Sequence, residues 1–213
     1  MLIFLGGFAS WLIGGLLGAV LLGALWPGDD VRAAGSGNPG ASNALRVRGK
    51  LFAAFVLGWD LLKAVAVIWY IPAWVVNSGA DISFDNASYL YGLLVVAGHI
   101  WPLMNGFKGG KGVATALGVL LLLAPGTVPW ALGVWFCTFL LSGYSGLASV
   151  LAALVLPVWA ISTGDAEGGK ALMAFCMMLT ALILGAHREN LQRLLRGEEN
   201  RFQLPWHKEQ NRS

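Results

Sequence analysis

Long apolar runs alternate along this chain with short clusters that hold nearly all its ionisable groups. That alternation constrains the fold more than any motif. Only 12% of the 213 residues are Asp, Glu, Lys or Arg, about half the roughly 25% of an ordinary soluble domain. A membrane-crossing helix needs roughly 20 apolar residues, and fewer suffice where helices pack on one another. The pattern predicts an all-α, polytopic integral membrane protein of seven transmembrane helices. They lie at about 2–26, 52–76, 87–104, 113–124, 128–142, 147–162 and 170–187. Residues 1–213 read as one membrane-integral domain, with 203–213 expected to be a flexible tail. Pro72, Pro102 and Pro157 are expected to kink or end helices. No 20–50-residue period appears.

The run from Met1 to Trp26 has no basic flank, and its first charge is Asp29. It is too long for a cleavable signal and reads as the first helix. Gly6, Gly7, Gly14, Gly15 and Gly18 recur along it, as helix packing in a membrane favours. Cys137 and Cys176 sit in apolar runs far from any metal-ligand spacing and read as small core residues. No metal or cofactor is expected.

Basic residues fall on one side of this topology. Twelve of the 14 lie in 27–51, 105–112 and 187–213, three of the connections that also include 143–146. The opposite connections carry Asp81, Asp85, Asp165 and Glu167 and neither Lys nor Arg. Positive residues stay in the cytoplasm, so the C-terminus is expected there and the N-terminus outside, in a bacterial inner membrane. Membrane lipids are expected partners; nucleic acid is not.

Three polar segments share the cytoplasmic side. The first is Gly35-Ser36-Gly37-Asn38-Pro39-Gly40-Ala41-Ser42-Asn43, followed by Arg46. Its glycines and asparagines permit positive φ, so backbone N–H groups can converge on an anion, with Ser36, Ser42 and Arg46 adding donors. The plainer reading is a polar linker, against which Pro39 and a helix-capping Asn43 suggest a fixed shape. The second runs from Gly98-His99 through Gly106-Phe107-Lys108-Gly109-Gly110-Lys111-Gly112 into an apolar helix. Lys108 and Lys111 there join a helix N-terminus in favouring anions. It superficially resembles a nucleotide P-loop, but Asn105 and Gly112 break that template. Contact with anionic headgroups is the bland alternative. The third is His187 to Glu199, in which His187 and Asn190 share a helical face. An amphipathic tail accounts for Arg188, Arg193 and Arg196 but less well for His187 and Asn190. Within the second span, Asp60 and Lys63 are expected to pair or to face the site. Ser142, Tyr144, Ser145 and Ser149 form a weaker polar patch.

In order and spacing, these segments resemble the three signature motifs of the bacterial acyl-phosphate:glycerol-3-phosphate acyltransferase family, across essentially the whole chain. The resemblance implies transfer of an acyl group from acyl phosphate to glycerol 3-phosphate, giving lysophosphatidic acid, without direct use of acyl-CoA or acyl carrier protein. It assigns phosphate holding to Ser36, Asn38 and Ser42 with Gly35, Gly37, Gly40 and Asn43. Substrate contacts fall to Arg46, Lys108, Gly109, Gly110, Lys111, Ser149, His187, Asn190 and Glu199. His187, Lys111, Arg46 and Ser36 are the expected catalytic residues. The enzyme that forms the acyl phosphate is a candidate partner. The chain lacks the His-x4-Asp motif of other glycerol-phosphate acyltransferases, as the family does. Two departures stand out: Ser42 replaces a Thr, and Gly143 stands where an Arg is common. A transporter of organic phosphates is the rival reading, suited by Asp60 and Lys63 inside a span.

Overall fold

The computed structural model describes residues 1–163 and 169–203; the expected tail lies almost wholly outside them. The described residues are helical, without strands. In chain order the helices are α1 Leu2–Gly14, α2 Gly18–Leu25, α3 Ala41–Asn77, α4 Phe84–Ile100, α5 Val113–Leu123, α6 Val128–Ser142, α7 Ser145–Thr163, α8 Gly169–Ala186 and α9 Arg188–Leu195.

Their outer surface is apolar, with Trp69, Tyr70, Trp130, Leu141, Val158 and Met177 exposed. A large apolar exterior marks a lipid-facing surface rather than a water-facing one. Five helices are long and apolar enough to cross a membrane, or six if α1 and α2 count as one bent span. At 11 residues, α5 is about 16 Å long, roughly half of a hydrocarbon core of about 30 Å.

The first run is not one helix. It breaks at 15–17 and bends by 53°. A break exposes carbonyls at one end and N–H groups at the other, and within a membrane both need partners. The second span supplies them. Lys63 Nζ lies 2.7 Å from Gly14 O and 3.3 Å from Leu16 O. Asp60 Oδ1 accepts from Gly18 N at 3.2 Å, and Trp59 Nε1 donates to Leu16 O at 2.8 Å. Each charge therefore faces the helix end of opposite polarity. The expected Asp60–Lys63 ion pair is present at 2.9 Å.

Close approach fixes the neighbouring crossing. A Cβ on Gly14 would sit 2.1 Å from Val95 O, and one on Gly98 2.0 Å from Trp11 O. Only glycines let α1 and α4 meet so closely. The core beside them runs through Val67, Tyr91, Val95, Val119, Phe175 and Leu179.

Two more expectations need correction. α3 starts at Ala41, eleven residues before the expected 52, because the polar stretch to Arg48 is itself helical and joins the span across Gly49 at φ 81°. Pro72 and Pro157 lie inside α3 and α7 and do not end them, whereas Pro102 follows the end of α4. Cys176 is buried as expected, but Cys137 is exposed on the outer face of α6.

Candidate active site

A cavity of about 550 Å³ opens among α3, α5, α6, α7, α8 and α9, and its two ends differ in chemistry. Ser36, Asn38, Arg46, Lys111, His187, Asn190 and Glu199 line one end. Ala54, Leu57, Leu117, Leu120, Leu132 and Leu156 line the other. A smaller cavity of about 300 Å³ lies beside Trp26 and Arg48. There Arg48 donates to the carbonyls of Trp26 and Pro27 and stacks on Phe52, 3.7 Å from the ring centroid.

The polar end is built by local chemistry first. Asn43 is buried; its Oδ1 accepts from Ser36 N at 2.8 Å, and its Nδ2 donates to Val31 O at 2.7 Å and Ala34 O at 3.0 Å. Its amide thus shapes the loop from within and does not cap α3, whose N-cap is Gly40. Gly35 and Gly37 take φ of 62° and 69°. No side chain caps the N-terminus of α3 at Gly40 or that of α5 at Gly112. Both termini border the cavity, so two sets of backbone N–H dipoles face it.

The two lysines of the second segment separate. Lys108 is exposed and does not line the cavity, whereas Lys111 does. Gly109 N donates to Ile100 O at 3.1 Å and Gly110 N to His99 O at 3.0 Å. Those N–H groups therefore fix the loop and are not left for an anion. Arg32 pairs with Asp30 and donates to Asn105 Oδ1 at 2.8 Å, tying the stretch just ahead of the first segment to the second.

The third segment closes the mouth. Glu199 accepts from Asn190 Nδ2 at 2.6 Å and Arg193 Nε at 2.8 Å. The Oδ1 of Asn190 is buried and without a hydrogen-bond partner among the described residues. Arg46 donates to Asn200 O at 3.3 Å and lies 4.1 Å from the centroid of the Phe202 ring. Phe202 N donates to Gly143 O at 2.9 Å. A side chain at Gly143 would meet Phe202 O at 2.8 Å and Arg201 Cγ at 2.9 Å. Arg201 Nε instead donates to Ser142 O at 2.9 Å, which puts a guanidinium beside Gly143 from another part of the chain. Ser149 lines the cavity, donating to Ser145 O at 2.8 Å and accepting from Trp135 Nε1 at 3.1 Å.

Burial shapes the ionisation of the two central groups. It pulls the Lys111 ammonium down to about 8, with Glu199 opposing and Arg193 and Arg46 reinforcing. Burial, with Lys111 adding to it, takes His187 down to about 4. At neutral pH His187 is an uncharged imidazole. Its Nδ1 lies 2.8 Å from Ile183 O, an acceptor only, so the proton sits on Nδ1 and Nε2 keeps a lone pair.

Asp60 lines the cavity and pairs with Lys63, both outcomes expected of it; His99 and Trp135 also line the cavity without having been expected there. His99 stood within the second segment, but no spacing rule aims it at the site. Trp135 carried no signal at all.

The described chain can thus hold anionic oxygen at one end of the cavity and an apolar chain at the other. Residues 4–197 match a family model described as Glycerol-3-phosphate acyltransferase. A protein of that name from Erwinia tasmaniensis is 40% identical, with 95% of this chain and 92% of that one covered. Another from Sodalis glossinidius is 38% identical, covering 94% and 89%. The fold matches the crystal structure of PlsY, described as an integral membrane glycerol 3-phosphate acyltransferase, in its glycerol 3-phosphate form. That match has a TM-score of 0.81 at 34% identity, over 94% of this chain and 96% of that one. The same protein's lysophosphatidic acid form matches at 0.80 and 33% identity. With near-complete coverage in sequence and in fold, this chain belongs to the glycerol-3-phosphate acyltransferase family.

Proposed function

We propose that this chain transfers a fatty acyl group from an acyl phosphate to the 1-hydroxyl of glycerol 3-phosphate, giving lysophosphatidic acid and inorganic phosphate. The observation that carries the reading is the cavity's division between a cationic end and an apolar end. One substrate of this reaction is a phosphate with a small polyol; the other joins a phosphate to a hydrocarbon chain. The polar end receives both phosphates and the apolar end takes the acyl chain.

The glycerol oxygen attacks the acyl carbonyl, a new C–O ester bond forms, and the bond from the carbonyl carbon to the phosphate oxygen breaks. A phosphate is a good leaving group, so no enzyme nucleophile is required. The chain's task is to hold two anions against their repulsion and align the reacting atoms. Arg46, Lys111 and the N-termini of α3 and α5 supply the positive field. Ser36, Asn38 and Ser42 complete the phosphate cradle, and Ser149 lies along the path of the acyl chain. The vacant Asn190 Oδ1 accepts from a glycerol hydroxyl, with Glu199 fixing that amide. The hydroxyl proton passes to His187 Nε2 or to a substrate phosphate.

The proposal includes a single domain of seven spans, with α1 and α2 as one broken span and α5 as a short one. It places the C-terminus and the polar end of the cavity in the cytoplasm and the N-terminus outside, in the inner membrane. The charge partition supports this orientation. The transporter reading loses its main support, because Asp60 and Lys63 pair with each other and with a helix break.

The test is purified protein in lipid with labelled glycerol 3-phosphate and palmitoyl phosphate, palmitoyl-CoA or palmitoyl carrier protein in parallel. Labelled lysophosphatidic acid from the acyl phosphate alone is expected. No product from any donor, with the protein folded, would return the transporter to consideration.

A further inference from the structure

Asp60 and Lys63 satisfy the break between α1 and α2 by themselves, yet a third ionisable side chain joins them. Lys63 Nζ lies 2.8 Å from His99 Nδ1, and Asp60 Oδ1 lies 3.5 Å from the same nitrogen. All three side chains are buried. Among the described residues His99 is hydrogen-bonded to neither end of the break, so completing that helix does not account for it. Nδ1 has a donor in Lys63 and an acceptor in Asp60, so this edge of the ring is anchored whichever nitrogen carries the proton.

The opposite edge carries the glycine loop. A Cβ on Gly110 would lie 2.1 Å from His99 Nε2 and 3.0 and 3.1 Å from Cδ2 and Cε1. Gly110 thus occupies the Nε2 side and leaves the ring no room for a ligand there. Gly110 N donates to His99 O at 3.0 Å, and Gly109 N to Ile100 O at 3.1 Å. The loop rests backbone-first on the ring and on the last carbonyls of α4. The next residue is Lys111, followed by Gly112, the N-cap of α5. The Lys111 ammonium ends a flexible four-carbon stem, so its place in the cavity depends on where the loop is held.

Resting on the acyltransferase reading and deepening it, we propose that His99, held by Asp60 and Lys63, is a positioning residue for substrate phosphate: its ring seats residues 109–110 and so places Lys111. The three side chains act through Lys111 and not on substrate. Ion pair, ring, loop and Lys111 form one line of contact from the broken helix to the anion site.

The first test reads Lys111 directly, by carbon NMR of protein labelled at lysine Cε, in lipid, with Lys111→Arg identifying its signal. Lys111 is faced by Arg46 of α3, Glu189 and Arg193 of α9, Glu199 and His187. His99→Asn keeps a polar group near Nδ1 for Lys63 and removes the ring edge under Gly110. It is expected to move the Lys111 titration up from about 8 toward the ordinary lysine value of about 10.4. A ring that merely covers Lys63 predicts no movement, and an unmoved titration overturns the proposal. Should His99→Asn not fold, Gly110→Ala, which alters only the loop, is titrated in its place with the same expectation.

The second test is kinetic. Gly110→Ala drives a methyl into the ring and is expected to lower kcat/KM for glycerol 3-phosphate about ten- to a hundredfold, as a displacement near 1 Å does. His99→Asn alone is expected to lower it about tenfold. In the double variant the methyl enters the space the ring left. Its loss is expected to fall short of the product of the two by about threefold or more, as for residues in contact. Losses that multiply overturn the proposal. The titration needs no turnover, so a failed wild-type donor assay would count against the acyltransferase reading alone.

Discussion

The two histidines of the cavity are held by opposite means. His187 directs Nδ1 to Ile183 O, one turn back on its own chain. His99 is held by Lys63, 36 residues away, which Asp60 and the carbonyls of a broken helix hold in turn. The first arrangement needs only a helix end; the second needs three helices in register. A lone pair can thus be prepared locally, because every helix end offers free carbonyls. A histidine held by a buried cation is a different matter, because a buried cation requires a counter-charge. The site therefore mixes a part made by neighbours in sequence with a part made by packing.

Lys111 serves both halves and gives the largest expected effect. Lys111→Met should lower kcat/KM on the order of 10²- to 10³-fold, as loss of one preorganised charge-stabilising group does. Lys108→Met, on the exposed side of the same loop, should change it by less than about twofold, since an exposed charge contributes little. Steady-state kinetics in lipid on both variants would separate the two lysines. Equal losses would show that the cavity is wrongly placed.

His187→Ala sharpens the contrast next. If Nε2 takes the glycerol proton, kcat should fall about a hundredfold or more while KM moves less. Turnover near normal at saturation would assign the proton to a substrate phosphate.

The pH profile carries the same contrast further. Lys111 loses its charge as pH rises through about 8, so kcat/KM should decline on an alkaline limb near that value. Lys111→Arg should move that limb upward. His187 titrates at about 4 and stays neutral as pH falls from 7 to 5, so it contributes no acid limb there. A limb near 6 would track the substrate phosphate, whose second ionisation lies at about that pH. Profiles with His187→Ala would reveal the origin of any acid limb.

The smallest effect belongs to the closing segment. Phe202→Ala removes the ring under Arg46 and should raise KM for a phosphate substrate about two- to fivefold, in line with a partly exposed cation–π contact. Phe202→Trp should restore it. No change in either variant would mean that Asn200 O alone suffices to hold Arg46.

Much of the fold was legible in the residues. Apolar runs declared the helices because a membrane leaves a backbone no other partner than itself. The three polar segments were read as anion sites from glycine, serine and cation chemistry, and the structure gathers Ser36, Arg46, Lys111, His187 and Asn190 around one cavity. The i, i+3 spacing of Asp60 and Lys63 sufficed to foresee their pairing. The break at 15–17 was not legible, because nothing in that apolar run shows that two charges from α3 will satisfy its ends. Nor was the division of labour within the motifs. Asn43 shapes its loop, Gly109 and Gly110 bind the end of α4, and Lys108 faces outward. The guanidinium beside Gly143 comes from Arg201, far along the chain.

Sequence by itself determined the membrane class, the helices and the chemical kind of each polar segment, since these follow from hydrophobicity and from neighbours within a turn. Tertiary structure decided which backbone N–H groups are spent within their loop, which lysine turns inward and which partners hold Asp60, Lys63 and His99 together. Those outcomes depend on partners tens of residues away, and packing alone selects them.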